Sequence, residues 1–221
     1  MTAHPLGRRV DHDERSLQHH AARATTQHSV LWGHNAPVLD QGQISSCTGN
    51  ATAQLINTDY FAASRPHGYL TEPDALQIYE TATVLDSIPD NTYPPTDDGS
   101  SGLGAAKAGV QLGYFTAYKH SFGFDHFAAT LQLQPVIVGT DWYTDMFTPD
   151  QRGYIKPSGT VEGGHEYLAL GISWETKTLI FLNSWGDSWA HGGRFYMTFD
   201  DFTQLLGNQG DATAPLPKAT A

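Results

Sequence analysis

Residues 40–50 read DQGQISSCTGN and set the chain's single cysteine, Cys47, at the end of a polar, turn-prone run. Glycine, glutamine and serine ahead of it favour a loop. The stretch that follows, CTGNATAQLINTDYFAAS, carries Ala51, Leu55, Ile56, Tyr60 and Phe61 at helical spacing before the breakers of RPHG at 65–68. A sulfur in the first turn of such a helix lies near unpaired N–H groups and the positive end of the helix dipole, which favour thiolate over thiol. That is a nucleophile's position, whereas a lone cysteine is ordinarily a small buried hydrophobe. The decision between the two rests on what lies downstream.

Two later stretches bear on it. VEGGHEYLALGI puts His165 after a Gly-Gly pair at the head of an apolar strand, and LNSWGDSWAHGGRFYM puts Asn183 at the end of another. Alone, such a histidine is more often structural and such an asparagine a turn former. Together they give Cys, His and Asn in chain order, with His165 about 118 and Asn183 about 136 residues beyond Cys47, close to the separation of papain-type enzymes.

Composition removes several classes. A chain of 221 residues, 39% of them hydrophobic, buries a sizeable core as one large domain or two small lobes. A net charge of −11 with only 12 Lys and Arg argues against nucleic acid as a partner. No apolar run approaches the roughly 20 residues that cross a bilayer, and MTAHPLGRRVDHDERS lacks the apolar core of a secretory signal. The expectation is a cytoplasmic protein without a membrane partner; a virion-associated or otherwise exported one is the alternative. One cysteine forms no internal disulfide, which fits a reducing compartment.

Residues 1–35 hold His4, His12, His19, His20, His28 and His34 in no helical or strand register and read as an extended arm. Helices are expected at 47 onward, in EPDALQIYETATVL, where Pro73 suits the first turn and Glu72 and Asp74 the dipole, and in LGAAKAGVQLG. SIPDNTYPPTDDGSSG between them is a loop that lacks the ligand spacing of a calcium site. From 134 onward QPVIVGTDWY, HEYLALGISW, TLIFLNSW and GGRFYMTF read as antiparallel strands. The fold class is α+β: a helical lobe over about 36–130, a β lobe over about 131–207 resembling a barrel, the site at their seam, and a flexible tail over 208–221. The arm's histidines lack a metal-site pattern, so no metal and no cofactor are expected. Trp142, Tyr143, Met146 and Phe147 read as core or cleft wall.

On these residues the sequence resembles the papain-like cysteine peptidases, over most of 36–207. DQGQISSC is similar to the family's Gln-Gly-x-x-x-Ser-Cys segment, GGHEYLALGI to its histidine strand, and LNSWGDSWAHGGRFYM to its Asn-Ser-Trp-Gly segment, the most specific of the three. The departures are Thr48 where an aromatic residue is common, Ile44 where a cysteine often stands, and the absence of the family's disulfides. The resemblance implies a papain-like two-lobe fold and a thiol protease acting on a peptide or protein substrate. Cys47 would be the nucleophile, His165 the base and acid, Asn183 the orienting acceptor, and Gln41 an oxyanion donor beside the Cys47 N–H. Trp185 would shield the Asn–His bond, and Gly99, Ser100 and Gly164 would meet the substrate. A silent papain-fold binding or structural module, and an amidase or transpeptidase on cell-wall peptides, remain alternatives. Should the sulfur be sealed in the interior, or the His165 ring be turned well away from it, the proposed hydrolase would have to be given up.

Overall fold

The computed structural model describes residues 4–65 and 67–218. Helix α1 spans Cys47–Ile56, and every one of its residues is buried, polar ones included. Several of those polar groups are satisfied locally or used as ties, while Thr48 Oγ1 and Asn50 Oδ1 have no partner among the described residues. Thr52 Oγ1 donates to Thr48 O at 2.8 Å and Asn50 Nδ2 to Ser46 O at 3.0 Å, while Gln54 Nε2 donates across to Asn183 O at 3.1 Å. The helix stops at Ile56, and Tyr60 and Phe61 fall in a separate 3-10 helix, Asp59–Ser64, so the single helix read through Phe61 is two elements. Helix α2, Glu72–Leu85, starts where the sequence places it: Asp74 accepts from both the Thr71 N–H and the Thr71 hydroxyl at 2.8 Å. Gly49 lets α1 press on α2, since a Cβ there would strike Ala75 O and lie 2.9 Å from Tyr79. Helix α3, Gly102–Gln111, is capped by the Ser101 hydroxyl on Gly104 N–H at 2.9 Å.

Opposite these helices stands an antiparallel sheet of β2 (Phe115–His120), β3 (Val136–Tyr143), β4 (Val161–Ser173), β5 (Thr178–Leu182), β6 (Arg194–Thr198) and β7 (Asp211–Pro217) in the order β2-β7-β3-β4-β5-β6. A short β1, Val30–Leu31, adds to β4. The sheet is apolar on both faces. Tyr167 and Ala169 of β4 join an aromatic cluster with Trp142, Phe181, Phe195 and Phe202, while Leu168 and Leu170 join α1, α2 and α3. This two-residue alternation sends consecutive side chains of β4 to opposite faces. His165 has the parity of Tyr167, and Glu166 the parity of Leu168. Helices α4 (Gly123–Leu131) and α5 (Phe199–Gly207) cover the aromatic side.

Two expected boundaries are corrected. The segment 208–221, read as a flexible tail, contributes β7, an interior strand hydrogen-bonded to β2 and β3. Its prolines hid it: Pro215 and Pro217 lie past Thr213, where pairing with β3 ends, so their missing N–H groups cost that ladder nothing. The sheet side also begins earlier than 131, because β2 and α4 belong to it. Of the arm and tail as read, residues 1–3 and 219–221 lie outside the described residues, as does residue 66. No described helix is long and apolar enough to cross a membrane.

Residues 4–35 cross the molecule in extended form, interrupted by a 3-10 helix at Glu14–Gln18 whose start is capped by Asp13. They are tied down by bridges between Arg8 and Ser100, His20 and His120, and His34 and Thr58, and by Trp32 Nε1 donating to Leu131 O at 2.8 Å.

Candidate active site

The loop before α1 is built by its own polar residues. Asp40 accepts from Gly42 N–H at 3.0 Å, and Gly42 sits at φ +60°, where a side chain is disfavoured. Gln41 is pinned by its backbone N–H to Ser184 O at 2.9 Å and by its Oε1, which accepts from Ser184 Oγ at 2.8 Å. Asp97, from the loop between α2 and α3, accepts from Ser45 N–H at 3.1 Å and from the Tyr79 hydroxyl at 2.8 Å. These ties fix where α1 begins, and hence where Cys47 stands.

His165 Nε2 and Asn183 Oδ1 are 2.7 Å apart, and the same oxygen accepts from Ser184 N–H at 2.8 Å. That leaves Nδ1 as the ring's other nitrogen, buried and without a partner among the described residues. The ring is walled by aromatics: Trp185 lies over it at 4.8 Å between centroids and Trp142 meets it edge-on at 4.8 Å. Trp185 therefore covers one face of the His165 ring. Burial drives the His165 pKa down to about 4, with the Asn183 bond opposing and His4 adding to the fall.

Cys47 departs from its expected state. Its sulfur is fully buried, and burial, then the nearby Glu166 carboxyl, pushes the thiol up to about 12, although backbone N–H groups of Glu166, Gly7 and Thr48 pull the other way. The helix tip therefore does not yield the accessible thiolate the sequence led us to expect. Cys47 belongs to neither apolar cluster; part of what seals it is the chain's own arm. Gly7 N–H and Arg8 N–H donate to Gly164 O at 3.1 and 2.9 Å, Ser100 N–H donates to Gly7 O at 2.8 Å, and Arg9 N–H donates to Ser100 O at 2.8 Å. Pro5 O accepts from Gln41 Nε2 at 3.2 Å, a donor shared with Ile44 O at 3.0 Å. His4 stacks on Trp185 at 4.5 Å.

The residues singled out as a site come from two sides of the molecule, which Gln41 N–H to Ser184 O and Gln54 Nε2 to Asn183 O tie together. Gln41 and Cys47 come from the helical side, His165, Gly164, Asn183 and Trp185 from the sheet, and Ser100 pairs with the arm through its backbone. Gly99, at φ +84°, makes no such pair; a Cβ on it would collide with Gly7, so its role is close approach. Sequence reasoning missed Glu166, Asp211 and Arg8. Glu166 carried a signal, being the one charged residue in the apolar run after His165; Asp211 was hidden in the segment taken for a tail.

No family model matches the sequence, and no curated protein matches it. Solved structures do match in shape. The chain is similar to xylellain, a cysteine protease from Xylella fastidiosa, at 19% identity and a TM-score of 0.62, over 99% of each chain. It is similar to digestive procathepsin L 3 of Tenebrio molitor larval midgut at 15% identity and a TM-score of 0.68, over 96% of this chain and 76% of that one. It is also similar to the bromelain protease from Ananas comosus, solved in complex with the E64 inhibitor, at 17% identity and a TM-score of 0.54, over 87% of this chain and 100% of that one. The fold is the α+β papain-like fold.

Proposed function

We propose that this protein is a papain-type cysteine peptidase held latent by its own N-terminal arm. The observation that carries the reading is the 2.7 Å bond from His165 Nε2 to Asn183 Oδ1, which leaves the buried Nδ1 without a partner among the described residues, on a strand whose next residue, Glu166, is near enough to Cys47 to shift its thiol. With the arm displaced, water and substrate enter, the burial that holds both groups neutral is relieved, and Cys47 passes its proton to Nδ1 to form a thiolate–imidazolium pair. The thiolate attacks a substrate carbonyl carbon. Negative charge moves to the carbonyl oxygen, which takes donors from Gln41 Nε2 and the Cys47 N–H. Collapse of this intermediate breaks the C–N bond, the imidazolium protonates the leaving amine, and a thioester remains. His165 then draws a proton from water, the hydroxide carbon–oxygen bond forms, the C–S bond breaks, and the thiol is regenerated with release of a carboxylic acid. Asn183 orients the ring throughout without adding a charge.

Latency follows from what the arm offers. Its Gly7 and Arg8 N–H groups donate to Gly164 O, beside His165, and it places Pro5 O on the donor assigned to the oxyanion. A polypeptide therefore fills the seam while keeping Cys47 protonated. The substrate class is peptide or protein, since the backbone of Ser100 and the carbonyl of Gly164 bind main chain irrespective of sequence. The test is cleavage of a peptide library by the full chain carrying Arg8→Ala, to loosen the arm, beside the same chain with Cys47→Ala. Cuts confined to the chain that keeps Cys47 support the peptidase; identical cuts in both, or none in either, remove it.

A further inference from the structure

Three stretches that reach the cleft from different parts of the chain meet on one buried hydroxyl. Tyr79 of α2 is 0% exposed, and its Oη donates to Asp97 Oδ1 at 2.8 Å while accepting from Gly99 N–H at 3.1 Å. A phenol carries one donor and an acceptor on the same oxygen, so the two bonds do not compete. Burial, then the bond to Asp97, pushes the hydroxyl up, and it stays a donor. Asp97 also takes the Ser45 N–H, at 3.1 Å to Oδ1 and 3.2 Å to Oδ2. Ser45 stands two residues before Cys47, and Gly99 stands one before Ser100.

The other bonds of residues 99–100 leave one edge open to the cleft. Gly99 O accepts from Asn91 Nδ2 at 2.9 Å, and Ser100 Oγ donates to Asp86 Oδ2 at 3.0 Å. The Ser100 N–H and C=O are left over, and they pair with Gly7 O and Arg9 N–H of the arm at 2.8 Å each. The Tyr79 ring has little freedom of its own. It lies 5.1 Å from the Tyr93 ring between centroids, and a Cβ on Gly49 of α1 would stand 2.9 Å from the Tyr79 Cβ. The hydroxyl is therefore a fixed point between the loop that leads to Cys47 and the edge that pairs with main chain.

We propose that Tyr79 is a positioning residue: through Asp97 and Gly99 its hydroxyl fixes the Ser100 edge against the Cys47 loop, so that a peptide paired to that edge brings its carbonyl to the sulfur in register. The proposal deepens the peptidase reading above and rests on it. Attack needs the carbonyl at a set distance and angle, and a guest paired with Ser100 takes both from the edge. Without the hydroxyl, Gly99 N–H loses its acceptor and Asp97 loses one of its donors, which frees the edge to shift. The consequence depends on substrate length. A guest too short to reach Ser100 feels only what happens at Cys47, whereas a longer one also loses the register.

The experiment uses the full chain with Arg8→Ala, which loosens the arm by removing the bonds from Arg8 Nε and Nη2 to Asp211 Oδ2 at 3.0 and 2.6 Å. Its substrates share one leaving amine and are lengthened a residue at a time on the acyl side. kcat and KM are measured with and without Tyr79→Phe, which keeps the ring. The expected loss in kcat/KM is about fivefold larger, or more, for the longest peptide than for the shortest, and it enters at a single lengthening step. A core contact alone would scale every length alike. A loss equal at all lengths, or none at any, overturns the proposal and leaves the peptidase intact. If the Arg8→Ala chain cleaves nothing, the peptidase reading fails, and calorimetry on the chain carrying Cys47→Ala with Arg8→Ala decides whether the hydroxyl sets the edge. Binding of the longest peptide weakened about fivefold or more by Tyr79→Phe supports it, and equal affinities overturn it. Should Arg8→Ala not fold, Arg8→Gln replaces it in both measurements, as Asp97→Ala replaces Tyr79→Phe.

Discussion

Gln41 is held at both ends of its side chain, by Ser184 Oγ on the oxygen and by two backbone carbonyls, Pro5 and Ile44, on the nitrogen. One of those carbonyls belongs to the arm, so the amide is poised on a group that substrate would displace. Gln41→Ala in the arm-loosened chain should lower kcat by roughly 10²–10³-fold with a much smaller change in KM, measured by steady-state cleavage of one peptide. Equal losses in binding and turnover would place Gln41 outside the oxyanion site. Gln41, Cys47, His165 and Asn183, the residues of the proposed site, stood out in the sequence because the proposed chemistry calls for each residue type within recognisable flanking glycines and tryptophans. Glu166 and Asp211 did not, because they come from separate strands and have no contiguous signature.

Two elements decide where these residues stand. The first is α1, whose approach to α2 depends on Gly49; Gly49→Ala should destabilise the fold by about 1–3 kcal/mol, because the methyl meets backbone of α2 that cannot swing aside. Chemical denaturation reads this directly, and an unchanged midpoint would mean the helices part freely. The second is β7. It lies between β2 and β3, so a chain ending before Asp211 should lose cooperative unfolding rather than merely a tail. Circular dichroism through a thermal ramp distinguishes the two. Helix α2 was readable to its end residues because its capping signals are local, and β3 to β6 because apolar runs bounded by Gly, Pro and Asp persist in them. Strand β7 was not, since DATAPLP has the composition of a loop and owes its state to partners in β2 and β3 that lie far away in sequence.

At the scale of the whole molecule, the arm and the cleft behave as one unit. Burial lowers both His34 and His165 to about 4, against an ordinary value near 6.5. Between these values the unfolded chain binds protons that the folded chain does not. Stability contributed by keeping both neutral is therefore complete above pH 6.5 and declines as pH falls toward 4, by up to about 3 kcal/mol for each. Glu166 works in the opposite sense, since burial beside Asp211 raises its carboxyl, with Arg8 opposing. Glu166→Gln should make the acid decline steeper, and unfolding midpoints between pH 4 and 7 for the two chains test the sign.

With a single cysteine in the chain, the central claim, that Cys47 and His165 form a working pair beneath the arm, comes down to one intact-mass measurement with a thiol-reactive epoxide. The account predicts slow labelling of the wild-type chain, one adduct at a rate at least tenfold higher in the Arg8→Ala chain, and loss of that reaction when His165→Ala is added. An adduct that forms as fast without His165, or a sulfur that stays unlabelled once Arg8 is removed, would contradict it.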